Sequence, residues 1–155
     1  MLESMAHSAF SDWLLQSNSI WAYPTILTLH TFGMMVLVGS AWVIDLRVLG
    51  FARGIPLKSV GPLFTVTWWA FALNAVTGTM LFIADADKRG HDPDFGLKML
   101  LIAGGLTTVV LIRRRIAAAG DDPITVPSSA RTLAFVSLLC WGGAITAGRL
   151  LAYVA

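Results

Sequence analysis

The sequence predicts an all-α integral membrane protein, a four-helix up-down bundle with a short amphipathic interfacial helix at its N-terminus. Of its 155 residues, 56% are hydrophobic and only 13% are charged, about half the charged fraction of a soluble domain. The apolar runs are continuous and lack the alternation of membrane β-strands. This composition excludes an ordinary soluble enzyme and a nucleic-acid-binding module.

The membrane spans are predicted from where charged residues are missing. The stretches without Asp, Glu, Lys or Arg are 13–44, 59–84, 99–112 and 132–148. A hydrocarbon core about 30 Å thick requires about 20 residues of helix. We therefore expect one transmembrane domain over residues 1–155, with spans at about 23–44, 62–84, 95–112 and 130–153.

Turn and cap residues support these boundaries. Pro24 and Pro62 each stand in the first turn of a predicted span, where the N–H that proline lacks has no helical partner anyway. Residues 92–94 (Asp-Pro-Asp) precede the third span. Residues 127–129 (Pro-Ser-Ser) precede the fourth span, with serine available as an N-cap.

The first fifteen residues predict an amphipathic helix. Apolar side chains recur at helical spacing over residues 2–15, and most polar side chains fall on the other face. The apolar face consists of Leu2, Met5, Ala6, Ala9, Phe10 and Trp13. Such a segment lies along the membrane surface rather than across it.

Basic residues predict the orientation. Seven basic residues belong to the first and third loops and their flanks: Arg47, Arg53, Lys58, Arg113, Arg114, Arg115 and Arg131. In the second loop, by contrast, acidic residues offset the basic ones. The positive-inside rule then places both termini on the outer side of the membrane and the two basic loops in the cytoplasm.

Polar residues inside the spans indicate a candidate site, because such residues are costly to bury in lipid. His30 is the only ionisable residue within the first span and lies roughly 10 Å from Tyr23 along the helix. Asn74, about 18 Å from Pro62 on the antiparallel second span, reaches a similar depth. Gly104 on the third span and Trp141 on the fourth lie at about the same depth.

His30 has two interpretations. It is either a structural histidine bonded to a neighbouring helix, or a ligand for a cofactor or metal. Gly33 and Met34 follow on the same helix face and supply a small gap and a soft sulfur beside the imidazole. A haem packed between helices needs such an axial imidazole and small residues, together with cations for its propionates.

Two cations lie near this level. Arg149, in the last turn of the fourth span, either extends to the membrane surface or binds an anionic group such as a propionate or a lipid headgroup, or a quinone carbonyl. Lys98 is the second cation that could bind such a group.

Asp45 and Arg47 lie two residues apart at the other end of the first span and do not face each other. We expect each to pair with a loop or helix-end group.

Several motifs resemble a bacterial four-helix inner-membrane family that is known only as a domain of unknown function. The most specific are Leu29-His30-Thr31-Phe32-Gly33 and Asp45-Leu46-Arg47-Val48-Leu49-Gly50. The others are Trp21-Ala22-Tyr23-Pro24, Val38-Gly39, Thr77-Gly78 with Phe82, Phe95-Gly96-Leu97-Lys98 and Ala147-Gly148-Arg149. The chain is more distantly similar to copper-resistance-D-type proteins and four-helix b-type cytochromes. This resemblance implies a bundle able to hold haem or copper, although the paired intramembrane histidines of the cytochromes are missing.

Three functional hypotheses follow. The first is a redox membrane subunit that binds haem b or a quinone near the outer face, through His30, Gly33, Met34, Asn74, Lys98 and Arg149. The second is a non-catalytic accessory or anchor subunit of a larger complex. The third is a small transporter or metal-handling protein with His30 as metal ligand, assisted by Met34 and Met80. Because no catalytic motif occurs, a non-enzymatic subunit is favoured, with the lipid bilayer and other membrane subunits or a second copy as partners.

Overall fold

Four long helices make up most of the structure, a computed structural model that describes residues 13–14, 21–51, 53–86, 90–118 and 126–150. The helices are α1 (Tyr23–Leu49), α2 (Gly61–Ala84), α3 (Pro93–Ala118) and α4 (Ser128–Leu150), and a short 3₁₀ helix (Leu57–Val60) precedes α2. No strand occurs within the described ranges. The predicted all-α four-helix fold is confirmed.

All four helices are long and apolar enough to cross a membrane, which confirms the prediction of a multi-pass membrane protein. Most of the predicted amphipathic helix over residues 2–15 lies outside the described residues. Its described part, Trp13 and Leu14, is helical, and Leu14 is buried in a cluster with Ala22, Ile26 and Ala84. We call this end of the bundle the Tyr23 end and the opposite one the Leu49 end.

Helix α1 continues beyond the predicted span and ends at a glycine. Gly50 adopts a left-handed conformation with φ of 99°, which L side chains rarely tolerate. Its N–H donates to the carbonyl oxygens of Leu46 and Arg47 and so caps the helix. The charge-free stretch therefore covers α1 as far as Ile44, whereas the last part of the helix also contains Asp45 and Arg47.

The helices pack in the order α2, α1, α4, α3 around the bundle. Helix α1 contacts α2 and α4, and α4 contacts α3. Over their described lengths, α2 and α3 make little direct contact. Near the Tyr23 end these two helices meet in a stacked pair, Phe82 and Phe95, with ring centroids 5.0 Å apart. The arrangement leaves a cleft between α2 and α3 on the Leu49 side of this pair.

Small residues on α4 allow its close approach to α1 and α3. The buried face of α4 consists of Ala130, Ala134, Ser137, Trp141, Ala144 and Ala147. The large Trp141 ring is 1% exposed and packs against Gly105 of α3. Transmembrane helices associate through such close backbone contacts, because lipid supplies no hydrophobic driving force between them.

Candidate functional site: an interhelical cavity

A cavity of about 320 Å³ lies in the half of the bundle nearer the Tyr23 end, and all four helices line it. Its volume is within the usual range for small-molecule sites. Four polar side chains line it: His30, Asn74, Thr79 and Lys98. Four aromatic side chains also line it: Phe71, Phe82, Phe95 and Trp141. Few polar groups against mainly apolar walls are typical of a site for an apolar ligand with a polar head.

His30 is half-buried and held by α2. Its Nδ1 lies 3.0 Å from Thr77 Oγ1, and Thr77 is itself 2.8 Å from the Leu73 carbonyl oxygen. Gly78 makes room for the ring, because a Cβ at that position would lie 3.1 Å from His30 Cε1. These contacts fix the orientation of the imidazole relative to the cavity.

Asn74 determines which ring nitrogen of His30 carries the proton. With its amide nitrogen toward α1, Asn74 donates to the His30 carbonyl oxygen (3.0 Å) and to Nδ1 (2.8 Å). Its amide oxygen then accepts from the Met34 N–H at 2.9 Å. In the reverse orientation the amide oxygen would face the His30 carbonyl oxygen, and the amide nitrogen would face the Met34 N–H. No protonation state of the imidazole repairs those two contacts, so we assign the first orientation.

The consequence is a hydrogen-bond donor at the cavity. With Asn74 in this orientation, Nδ1 is the acceptor for the Asn74 amide and the Thr77 hydroxyl, and the proton of neutral His30 is on Nε2. Among the described residues, Nε2 has no hydrogen-bond partner. His30 therefore offers an N–H group to a ligand that carries an acceptor.

Lys98 supplies a cation to the same cavity. It lies in the second turn of α3, and its side chain runs along Gly148 of α4, where a Cβ would be 3.5 Å from Lys98 Cε. The aliphatic part of the Lys98 side chain therefore packs against α4 at Gly148. A ligand with an acceptor or a negative charge can thus contact two donors, one from α1 and one from α3.

The structure brings four of the six predicted site residues to the cavity: His30, Met34, Asn74 and Lys98. Gly33 instead lies at the α1–α2 interface, where a Cβ would be 3.4 Å from Leu73 and 3.5 Å from Asn74. Arg149 is exposed and is not among the lining residues.

Sequence reasoning did not assign Thr77 or the aromatic walls to the site. A spacing signal was present on α2, where lining residues recur at helical intervals: Phe71, Asn74, Ala75, Gly78 and Phe82. Because these positions share one helix face, the depth of Asn74 together with this spacing predicts the aromatic neighbours.

Among the described residues, the structure shows no set of ligands for the predicted metal site. Within the described ranges, no group of three His, Cys, Asp or Glu side chains is placed to hold a metal ion. Met34 lines the cavity with His30. Met80 instead packs against the cluster of Leu14, Ala22, Ile26 and Ala84.

A haem group fits these residues poorly. An axial histidine binds iron through an unprotonated nitrogen and donates its other ring N–H to a neighbour. With Asn74 in the assigned orientation the arrangement of His30 is reversed, because Nδ1 accepts from the Asn74 amide and the proton is then on Nε2. Of the described histidines, His91 is exposed in the loop before α3, and His30 alone lines the cavity.

A second buried polar pair lies toward the Leu49 end. Arg47 Nε donates to the Ile55 carbonyl oxygen in the following loop, which confirms the expected loop partner. For Asp45 the expectation was wrong. Its carboxylate lies near Ser137 of α4, but among the described residues neither its oxygens nor Ser137 Oγ makes a hydrogen bond of normal geometry. The tight α1–α4 contact, which places Asp45 at 1% exposure, keeps the carboxylate away from loop donors.

Comparison with protein-family models, curated proteins and solved structures finds no match. The resemblance to a bacterial inner-membrane family therefore stays a prediction that rests on the motifs.

Proposed function

We propose that the protein is a bacterial inner-membrane redox subunit that binds the headgroup of a lipid-soluble quinone in the interhelical cavity. One observation carries the proposal: the His30 ring and the Lys98 side chain border a cavity whose walls are mainly apolar and aromatic. Quinone carbonyl oxygens accept hydrogen bonds, and the flat ring suits aromatic walls. With both termini periplasmic, the cavity lies in the outer half of the membrane.

The arrangement favours a quinone over haem for a chemical reason. A quinone carbonyl needs a donor, which Nε2–H provides, whereas iron needs the lone pair that this tautomer does not offer. The accessory-subunit and transporter hypotheses stay predictions, since no contact among the described residues favours either.

Removing the His30 donor is expected to weaken quinone binding. In the His30→Ala variant the carbonyl loses its partner, which costs about 1–3 kcal/mol, or roughly five- to 150-fold in Kd. Binding is measured by quenching of tryptophan fluorescence with short-tailed ubiquinone and menaquinone analogues, for protein reconstituted in nanodiscs. Trp141 lines the cavity, and its share of the quenching is obtained as the difference from the Trp141→Phe variant, since the chain has six tryptophans.

The matched control is Thr28→Ala, because Thr28 is an exposed α1 residue whose hydroxyl donates to the Pro24 carbonyl oxygen of its own helix. This variant should bind as the unaltered chain does. Absence of saturable quenching, or equal affinity of the His30→Ala and unaltered proteins, would contradict the proposal. A Soret band that His30→Ala abolishes would favour haem instead.

A further inference from the structure

The cavity opens sideways, between α2 and α3. Ala75 and Thr79 on α2 and Met99 on α3 line the cavity and are also exposed on the outer surface of the bundle. Met99 is 49% exposed. Residues that belong to both surfaces mark the edge of an opening, which we call the lateral mouth and define by Ala75, Thr79 and Met99.

The lateral mouth lies at the depth of the hydrocarbon core. Thr79 is five residues from the end of α2 and Met99 six residues from the start of α3, which places both roughly 8–9 Å inside the helix ends. Ala75 lies a further turn inward. A molecule at this opening is surrounded by acyl chains rather than by water.

A stacked pair of aromatic rings lies between α2 and α3 at the Tyr23 end of the cavity. Phe82 and Phe95 stack with centroids 5.0 Å apart and an interplanar angle of 23°, and both line the cavity. They lie between the lateral mouth and the adjacent helix ends. Among the described residues, this stack narrows the route between α2 and α3 from the aqueous phase, whereas a ligand in the bilayer meets the gap at Ala75, Thr79 and Met99.

We propose that the lateral mouth admits a lipid-borne ligand, whose headgroup enters the cavity while its apolar tail stays between α2 and α3. The identity of the headgroup rests on the proposed function, and the access route rests on the geometry of the mouth. The ligand class is an isoprenoid-tailed quinone rather than a small water-soluble molecule.

The access route is tested without any quinone. Lipids with brominated acyl chains quench tryptophan on contact, so chains that enter the mouth should quench Trp141 despite its 1% exposure. The Trp141 contribution is the difference between the unaltered protein and the Trp141→Phe variant, both in bromolipid nanodiscs. Ala75→Phe narrows the mouth and should reduce this contribution at least twofold, whereas Met99→Ala widens it and should increase the contribution.

Ala72→Phe is the matched control, because Ala72 is exposed one turn away on α2 and does not line the cavity. It should leave the quenching of Trp141 unchanged. The lateral mouth is refuted if Trp141 is not quenched by bromolipid in the unaltered protein, or if Ala75→Phe and Ala72→Phe behave alike.

The position of the tail is tested with paired ligands, a quinone with an isoprenoid tail and its tail-less headgroup. Ala75→Phe adds bulk at the lateral mouth, where the tail would leave the cavity, so the Kd should rise about tenfold more for the tailed ligand than for the headgroup. Equal changes for both ligands would overturn the tail placement. If bromolipid quenches Trp141 and neither ligand binds, the quinone proposal fails while the lateral mouth stands.

Discussion

A Gly105→Ala variant is expected to lose about 1–3 kcal/mol of unfolding free energy, because a single methyl group overlaps the buried ring of Trp141. A Cβ at position 105 would lie 2.7 Å from Trp141 Cε2 and 3.0 Å from Cζ2. Trp141 is 1% exposed within the main hydrophobic core, so its ring can move away from Gly105 only toward the cavity that it lines. The loss is measured by titrating the detergent-solubilised protein with SDS and following helix content.

The same change elsewhere provides the control. A Cβ on Gly142 of α4 meets no atom within 4 Å, so Gly142→Ala should be neutral or stabilising by up to about 1 kcal/mol through its helix propensity. The smaller ring of Trp141→Phe should recover part of the Gly105→Ala loss in the double variant. Such non-additivity is expected of residues in direct contact. If the Gly105→Ala and Gly142→Ala variants were equally stable, the Trp141 ring would have moved aside without cost, which would contradict the prediction.

Gly105→Ala also connects packing to the site. Trp141 forms one wall of the cavity, so displacement of its ring changes the shape that a ligand meets. We expect weaker quinone binding in Gly105→Ala and unchanged binding in Gly142→Ala. A contact between α3 and α4 thus sets the geometry of a site whose polar groups come mainly from α1 and α2.

The helices and their depth relations could be predicted from the sequence, because charges and prolines carry that information directly. The charge-free stretch before Asp45 locates α1, and the rise per residue places His30 and Asn74 at similar depth. The structure brings these two side chains into contact. The helix ends were harder to predict. Helix α1 continues to Leu49 and α3 to Ala118, because helices extend past the lipid core wherever no residue stops them.

The direction in which each side chain points could not be predicted. Spans that are apolar around their whole circumference carry no stripe that distinguishes a lipid-facing side from a packed side. Depth alone placed Arg149 and Lys98 near His30, yet Lys98 lines the cavity whereas Arg149 is exposed. The gap between α2 and α3, which creates the cavity, depends on which helices are neighbours. That arrangement is set by contacts such as Gly105 with Trp141, between residues far apart in sequence.

Replacing the buried carboxylate of Asp45 by an amide of the same shape is expected to stabilise the protein. Asp45 is 1% exposed, and among the described residues its carboxylate oxygens make no hydrogen bond of normal geometry, although Ser137 lies nearby. An unpaired buried acceptor costs about 1–3 kcal/mol, and a charged one costs more, because the group loses its hydration without compensation. An amide has a smaller desolvation cost, so Asp45→Asn should raise the unfolding free energy by about 1–3 kcal/mol.

Asp92→Asn makes the same chemical change where the carboxylate is satisfied. Asp92 Oδ1 accepts from the Asp94 N–H at 2.9 Å before α3, and asparagine serves equally well in such a cap, so this variant should be neutral. Ser137→Ala, which removes the other unpaired group of the pair, should be neutral or stabilising. Both variants are compared with Asp45→Asn by SDS titration and by thermal unfolding.

A destabilised Asp45→Asn variant would instead show that the carboxylate has a strong partner in the folded protein. Stabilisation would mean that the chain keeps Asp45 at a cost to its own fold, which is the behaviour of a residue retained for function rather than for packing.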